Sequence, residues 1–272
     1  MIPIGDSVRS RTFPYVNLAI IAINILVFLY ELTLSGVPSY IALTVPNRLL
    51  LSELDRFFFD WGTIPAFLTD NFGASPDVAS RNLAVLCPEP GRLLLTPLTS
   101  MFLHGGWVHL VGNMIFLWVF GDNVEDAMGH ARYAVFYLVV GVAATAAHTA
   151  VSQNDLTPAI GASGAIAGVL GAYLVLYPRA TVAAVLPIFV LFWMPFYVPA
   201  VVLIGFWFLL QLFSGIASLA ATGVVGGGGG VAWFAHVGGF VAGLVLVKLF
   251  VLGRGPPPQP RAVMGRARRG GW

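Results

Sequence analysis

The stretch Pro158–Pro178 limits the fold of this chain most, because it runs between its two prolines without a charged residue. A helix rises about 1.5 Å per residue, so about twenty such residues cross the roughly 30 Å of hydrocarbon in a bilayer, and we predict a membrane-spanning helix here. Ser163 stands near its start between Gly161 and Gly164, and Gly168 follows. Small residues at these spacings leave one helix face bare for a close neighbour. By itself the pattern fits a packing stripe as well as a nucleophile.

The composition places the whole chain among membrane proteins. Its mean hydropathy is +0.85, and 10% of its 272 residues are charged, against roughly 25% in an ordinary soluble domain. That length holds one helical bundle and one sizeable loop, without a second soluble domain. The net charge of +2, with basic residues gathered at the two ends, argues against nucleic acid as a partner. Cys87 is the single cysteine, which excludes an internal disulfide and a cysteine metal cluster.

Apolar segments along the chain predict an all-α membrane protein, a bundle of six transmembrane helices. The predicted spans are residues 14–30, 106–120, 133–151, 158–178, 196–216 and 231–251. The earlier part of the tract Ala180–Ile216 carries prolines that interrupt a helix, so we predict a re-entrant or interfacial loop there. The acidic run Gly121–Asp126 follows the second span and predicts a turn outside the membrane.

The long first loop, residues 32–96, mixes charges with short apolar groups and is predicted to be partly embedded in the membrane. Its segment Leu49–Trp61 fits an amphipathic piece at the interface. The chain then divides into a cytoplasmic N-terminal segment (1–13), a six-helix transmembrane domain (14–252) and a disordered basic tail (253–272). Six spans put both termini on one side, and the Arg and Lys residues at both ends predict that this side is the cytoplasm.

Polar residues recur at one depth in this predicted bundle. The second, fourth and sixth spans run in the same direction, and His104, His109, Asn113, Ser163 and His236 all lie near the outer ends of these spans. Polar groups in hydrocarbon cost free energy unless they are satisfied, so this coincidence predicts a shared polar cavity. His109 and Asn113 are four residues apart and face the same way on a helix. Together the residues offer a nucleophile, a base and hydrogen-bond donors, which an acyl-transfer site requires.

The chemistry of that cavity would start at Ser163, whose proton His236 would take, while His109 and Asn113 donate hydrogen bonds to the developing oxyanion. No acidic residue lies at the same depth as a third member. A metalloprotease is unsupported because there is no His-Glu-x-x-His motif. An intramembrane aspartyl protease would need two Asp inside spans, and the aspartates here lie in loops. A transporter or a haem-binding protein stays open, but either would leave the Gly-x-Ser-Gly segment ending at Gly164 without a purpose.

Four motifs, in order along the chain, resemble the rhomboid intramembrane serine proteases. They are the segment from Gly106 through His109 to Asn113, with His104 upstream; Gly121, Glu125 and Gly129, with Arg132; Gly161-Ala162-Ser163-Gly164; and Ala235-His236 followed by Gly239 and Gly243. The resemblance covers about residues 14–252. In one respect the chain departs from the family, because Ala167 stands where some members have an aromatic residue that stacks on the catalytic histidine.

The resemblance implies a catalytic dyad of Ser163 and His236, without a metal or cofactor. It implies an oxyanion or substrate-binding site at His109, Asn113 and Gly161, including the backbone N–H of Ser163. Structural roles are implied for the remaining motif residues, which are His104, Glu125, Arg132, Gly239 and Gly243. The two last glycines would let the sixth span approach the fourth.

The function implied is an intramembrane serine endopeptidase that cleaves single-span transmembrane proteins near the outer face of a membrane. We expect a multi-pass protein of a bacterial-type inner membrane, with the oligomeric state left open. Two alternatives stay open: a catalytically silent relative that binds client proteins, and a small-solute transporter. Bulky Phe206, Trp207, Phe208 and Phe213 predict that the fifth span packs less closely than the fourth and sixth, so we expect it to be the lateral gate for substrate.

Overall fold

The computed structural model of this chain describes residues 1–37, 40–43, 48–69, 88–185, 195–221 and 232–260. The helices in it are α1 (Tyr15–Glu31), α2 (Glu53–Trp61), α3 (Pro65–Thr69), α4 (Pro90–Leu93), α5 (Thr96–Thr99), α6 (Trp107–Phe116), α7 (Asp122–Met128), α8 (His130–Val151), α9 (Ser163–Leu176), α10 (Ala200–Ala221) and α11 (Trp233–Phe250). The strands are β1 (Ile2–Asp6), β2 (Tyr40–Leu43), β3 (Arg48–Leu51), β4 (Thr181–Val185) and β5 (Pro195–Pro199). A 3-10 turn follows α5, and a π-helical segment joins α6 to α7.

Among the residues that the structure describes, three helices are long and apolar enough to cross a membrane, or four if one bent pair counts as a single span. The three are α8, the Ala200–Ser218 part of α10, and α11. The bent pair consists of Thr96–Phe102 and Trp107–Met128, which meet at 95°. Helices α1 and α9 are apolar but shorter, with 17 and 14 residues. The structure therefore shows a mostly helical membrane protein, whereas the count of six spans stays a prediction.

The fourth predicted span is shorter than the charge-free stretch that predicted it. Helix α9 begins at Ser163, and the residues before it from Pro158 are not helical. Gly161 has φ 120°, a backbone conformation that side-chain-bearing residues rarely adopt, so the chain turns here before the helix starts. The residues of this turn are as apolar as the helix, so hydropathy does not distinguish them from it. As a consequence, Ser163 lies in the first turn of a helix, not inside one.

The tract before the fifth span was also predicted wrongly in its described part. Residues 181–185 and 195–199 are the antiparallel strands β4 and β5, and β1 pairs with β4 to complete a sheet of order β1-β4-β5. Pro195 and Pro199 end the edge strand β5, a position where the missing N–H removes little from the ladder. Helix α10 then starts at Ala200. Residues 186–194 of the predicted loop lie outside the described residues.

The acidic run after the second span is a buried helix instead of an exposed turn. Residues 122–128 form α7, and Glu125 is fully buried. The Glu125 carboxylate accepts hydrogen bonds from the backbone N–H groups of Val16 and Asn17 at 3.0 and 2.7 Å. These N–H groups belong to the first turn of α1 and have no partner within that helix, so the carboxylate caps it. The run is polar because it binds the N-terminal segment.

Two arginine side chains bind backbone carbonyl oxygens at the ends of helices α11 and α7. Arg132 donates to the carbonyl oxygens of Phe250 and Leu252 at 3.2 and 2.7 Å, which caps the end of α11. Arg254 donates to the carbonyl oxygens of Asp126 and Ala127 at 3.2 Å each. The first residues of the predicted disordered tail therefore contact the folded domain, and residues 261–272 lie outside the described residues.

Helices α9 and α11 are in backbone contact along a row of glycines. A Cβ atom added to Gly239 would collide with the carbonyl oxygen of Gly164, and one added to Gly243 would collide with that of Gly168. Helices this close gain dispersion contacts over their whole length, which is how small residues hold apolar helices together in lipid. The contact brings the N-terminal turns of α9 and α11 side by side, and these turns carry Ser163 and His236.

Part of the first loop is ordered against the helices. The predicted amphipathic segment Leu49–Trp61 divides into the end of β3 and helix α2. Helix α2 begins with a capping box, in which the Ser52 hydroxyl accepts from the Asp55 backbone N–H and the Asp55 carboxylate accepts from the Ser52 backbone N–H. Residues 70–87 of the loop lie outside the described residues.

Candidate active site

Ser163 and His236 form a hydrogen-bonded pair. The Ser163 Oγ lies 2.7 Å from His236 Nε2. His236 is buried, in the first turn of α11, and Ser163 is half-buried. A hydroxyl within hydrogen-bond distance of an imidazole nitrogen can lose its proton to that nitrogen as it attacks a carbonyl. The two residues that the sequence analysis named as nucleophile and base are therefore in reach of each other.

The segment just before Ser163 is held by the first loop. The backbone of Ala159 exchanges two hydrogen bonds with Thr63, with N···O distances of 3.1 and 2.7 Å. The Gly161 N–H donates to the Ser100 carbonyl oxygen at 2.8 Å, so this N–H is not free for a substrate. A Cβ on Gly161 would lie 2.5 Å from His109 Nε2. Gly161 thus leaves room for the His109 imidazole beside the serine.

His109 and Asn113 face the same cavity as the Ser163–His236 pair. The cavity has a volume of about 830 Å³, and its lining includes His109, Asn113, Ser163 and His236, together with Trp207 of α10. Both of the α6 side chains can donate a hydrogen bond into this space. The first N–H groups of a helix have no intrahelical partner, so the Ser163 N–H is a third donor available at this site. The residue types around the cavity match those needed to hold a developing oxyanion.

His104 orients Asn113. The Asn113 Nδ2 donates to His104 Nε2 at 2.9 Å, and the His104 ring meets the His109 ring edge to face with centroids 5.0 Å apart. The backbone N–H of His104 in turn donates to the Glu31 carboxylate at 3.1 and 3.3 Å. His104 therefore links the end of α1 to the cavity, and one N–H of the Asn113 amide remains for a ligand.

Gln211 is the residue of this site that the sequence analysis missed. Its Oε1 accepts a hydrogen bond from His236 Nδ1 at 2.5 Å. Trp207, one turn earlier in α10, packs beside the same imidazole with centroids 5.8 Å apart and planes at 40°. The spans offer no acid at this depth and have Ala167 in place of an aromatic residue, and the structure supplies an amide and a tryptophan from α10 instead. A signal was present, because a lone amide in an apolar span needs a partner.

A metal centre finds no support in the part of the chain that the structure describes. No three side chains of His, Cys, Asp or Glu come close enough there to bind an ion together. His104 and His109 are in ring contact, and His104 also binds Asn113, whereas His236 binds Ser163 and Gln211.

Comparison with known proteins gives one family. A family model described as a rhomboid domain matches residues 92–253, more than half of the chain. The Rhomboid protease GluP of Bacillus subtilis is 38% identical over 96 residues, which cover 35% of this chain and 18% of that protein. RHOMBOID-like protein 2 of Arabidopsis thaliana is 30% identical over 156 residues, covering 55% and 46%. RHOMBOID-like protein 6, mitochondrial, of Arabidopsis thaliana is 36% identical over 77 residues, covering 28% and 24%. The chain thus matches less than half the length of each of these relatives.

Proposed function

This chain belongs to the rhomboid family, and from that premise we propose that it is an intramembrane serine endopeptidase with Ser163 as nucleophile and His236 as base. The observation that carries the proposal is the 2.7 Å contact between Ser163 Oγ and His236 Nε2 at the wall of a cavity of about 830 Å³. A relative without activity would need neither the hydrogen-bonded pair nor donors facing it. The pair therefore favours the protease over the silent client-binding protein.

The proposed reaction has two halves. As Ser163 Oγ attacks the carbonyl carbon of the scissile peptide, His236 Nε2 takes the hydroxyl proton, and the carbonyl oxygen gains negative charge. His109, Asn113 and the Ser163 N–H donate hydrogen bonds to that oxygen, which lowers the barrier because the donors are already in place. His236 then gives the proton to the leaving nitrogen, the C–N bond breaks, and an ester on Ser163 remains. Water, deprotonated by His236, breaks the ester and restores the serine.

We propose that the substrates are single-span transmembrane proteins and that they arrive sideways from the bilayer. The cavity lies between α6 and α10, where the rings of Phe116 and Trp207 are neighbours, with centroids 6.4 Å apart. An apolar chain can reach Ser163 from lipid if these two helices separate. Helix α10 is the better candidate to move, because it packs against side chains, whereas α9 and α11 are in backbone contact. This proposal keeps the fifth span as the gate.

For the orientation, we propose six spans with both termini in the cytoplasm and the dyad near the outer face. The support is the distribution of Arg and Lys, which gather in residues 1–13 and in the tail. One similar protein carries a mitochondrial name, so the expectation of a bacterial-type inner membrane rests on the sequence alone. Short apolar helices such as α9 would cross only the part of the bilayer that the polar cavity does not occupy.

The test of the function is loss of cleavage in Ser163→Ala. Purified wild-type protein in detergent or liposomes should cleave a generic single-span substrate and should be labelled covalently by a fluorophosphonate. Ser163→Ala and His236→Ala should each abolish both. The thermal unfolding temperature of Ser163→Ala should stay close to that of the wild type, because this change removes one oxygen atom from a small-residue surface. Cleavage by Ser163→Ala at the wild-type rate would exclude the proposed nucleophile, and a wild-type protein that neither cleaves nor labels would favour the silent relative.

A further inference from the structure

A chain of three side chains leads from α10 to the nucleophile. Gln211 Oε1 lies 2.5 Å from His236 Nδ1, and His236 Nε2 lies 2.7 Å from Ser163 Oγ. Helix α10 contains no charged residue, and its residues around Gln211 are bulky and apolar. A primary amide in such a helix costs free energy unless its oxygen and N–H groups find partners. The partner that Gln211 finds is the base of the candidate site.

We propose that Gln211 is the positioning residue of this base, an inference that rests on the proposed function. An amide oxygen only accepts, so the hydrogen on the imidazole must be on Nδ1 when Gln211 Oε1 is its partner. Nε2 is then free of hydrogen and can accept the proton of Ser163. With the opposite ring tautomer, Nε2 would carry the hydrogen and the serine would have no base. With its Oε1 on Nδ1, Gln211 therefore stabilises the tautomer that the reaction requires.

The same contact holds the ring as charge develops on it. When His236 takes the proton of Ser163, its Nδ1–H becomes part of a cation, and a hydrogen bond from a charged donor is about twice as strong as a neutral one. Trp207 packs beside the ring from the same helix, with centroids 5.8 Å apart. Helix α10 thus fixes the imidazole at its edge and at its face. These contacts take the place of an aromatic residue at position 167.

The location of Gln211 couples the entry of substrate to the orientation of His236. Ser163 and His236 belong to α9 and α11, which are in backbone contact, whereas Gln211 belongs to the helix that the proposed function moves to admit substrate. Moving α10 away from α11 by more than about 1 Å lengthens the Gln211–His236 contact beyond a hydrogen bond. The base is then correctly oriented only when α10 lies against α11. A substrate would have to be cut with α10 returned to this position.

The experiment compares Gln211→Leu, which removes the acceptor, with Gln211→Glu, which keeps a carbonyl oxygen in either protonation state. The first readout is the rate of fluorophosphonate labelling of Ser163, because this small probe does not need a transmembrane chain to enter between helices. The second is the separation of kcat from KM for a transmembrane substrate. Leu210→Ala is the matched control, since this neighbouring side chain is exposed on the same helix.

We expect Gln211→Leu to lower the labelling rate and kcat by about 10- to 100-fold, at or below the lower end of what general acid–base catalysis contributes because the base itself remains, with KM unchanged. Gln211→Glu should restore most of the rate, and Leu210→Ala should match the wild type. Gln211→Asn, which stays polar but is one methylene shorter, should lose activity like Gln211→Leu and serves as the second variant if Gln211→Leu does not fold.

Three results would overturn the inference: labelling of Gln211→Leu and Gln211→Asn at the wild-type rate, a raised KM with unchanged kcat, or a Gln211→Glu protein as slow as Gln211→Leu. Each of these presupposes a wild type that is labelled at Ser163. If the wild type is not labelled, the proposed function fails first, so the two failures are distinguishable.

Discussion

The three helices α8, α9 and α11 differ from α10 in how they are held. In α9 every residue from Gly164 to Tyr173 is buried, and its glycines meet the backbone of α11. Helix α11 also presses on α8, where a Cβ on Gly238 would collide with the side chain of Ala147. In α10, by contrast, Phe206 is 51% exposed and Phe213 is 65% exposed. Among the described residues, its aromatic rings contact Phe116 and His236 through Trp207, and Phe240 through Phe208.

The two kinds of packing allow different amounts of movement. Backbone contact leaves little freedom, so the three glycine-packed helices fix the distance between Ser163 and His236. Aromatic side chains can rotate and slide past one another at smaller cost, which is why α10 is the helix proposed to move. Under the proposed function, the nucleophile and the base lie on the close-packed helices, and their acceptor, Gln211, lies on the helix proposed to move.

The largest effect is expected from breaking the glycine contact. Gly243→Ala puts a methyl group against the backbone of Gly168, whose Cα would lie 2.8 Å away. The helices must separate, and overpacking of this kind costs about 1–3 kcal/mol or more. Gly243→Ala should lower the thermal unfolding temperature and also lose most cleavage and fluorophosphonate labelling.

The matched control for this change is Gly205→Ala in α10, where an added Cβ has no atom within 4 Å. Alanine also favours a helix over glycine by about 1 kcal/mol. Gly205→Ala should therefore be as stable as the wild type or slightly more so. Equal loss of stability in both proteins would contradict the division into close and loose packing.

A smaller effect, in the opposite direction, is expected from loosening α10. Phe208 stacks on Phe240 of α11 with centroids 4.4 Å apart and does not line the cavity. Phe208→Ala should raise cleavage of a membrane-embedded substrate by about two- to fivefold and leave the fluorophosphonate labelling rate unchanged, at a loss of roughly 1–3 kcal/mol in stability. Trp207→Ala is a less clean test, because it removes a contact of His236 as well.

The control for Phe208→Ala is Phe213→Ala, the same substitution on the same helix at an exposed ring. It should change neither the cleavage rate nor the stability appreciably. If Phe208→Ala cleaves the transmembrane substrate no faster than Phe213→Ala does, α10 does not limit substrate entry. If it labels more slowly as well, the stack on Phe240 supports the base and is not part of the gate.

The sequence predicted the cavity better than its surroundings. Ser163, His236, His109 and Asn113 could be placed together because each is polar in an apolar span, and because parallel spans set them at one depth. Gln211 is also a polar residue in an apolar span, but it is a neutral amide and not the acid expected beside a catalytic histidine. Gln211 also lies on a helix that runs opposite to the helix of His236, so it is not among the residues that share a depth at the starts of parallel spans.

The errors in the fold have a common physical cause, which is that hydropathy does not report backbone conformation. It extended the fourth span across the turn at Gly161, because a positive φ leaves no mark on apolarity. It gave a loop where β4 and β5 pair with β1, because the partner strand lies far away at the N-terminus. It gave a turn for the run at Glu125, because the N–H groups of α1 that bind this carboxylate cannot be seen from composition.

The smallest predicted effect concerns the end of the close-packed helices where β1 meets the C-terminal part of α9. The carboxylate of Asp6 accepts from the hydroxyl of Tyr173, the amide of Asn123 and the backbone N–H of Val8, and Asp122 stands nearby. Burial raises the pKa of Asp6 from 3.8 to about 7, the repulsion of Asp122 acts in the same direction, and the three hydrogen bonds oppose it.

A raised carboxyl pKa means that the folded protein binds this proton more tightly than the unfolded protein does. The contribution of Asp6 to the free energy of unfolding is therefore fully present below pH 3.8, falls as the pH rises toward about 7, and is constant above. Asp6→Asn should flatten the decline in thermal unfolding temperature between about pH 4 and pH 7, and Glu89→Gln, which removes an exposed carboxylate, should not. The slope decides the outcome, since the substitution also loses one hydrogen bond at every pH. An unchanged slope in Asp6→Asn would mean that Asp6 is ionised throughout and that the junction between β1 and α9 stays in contact with water.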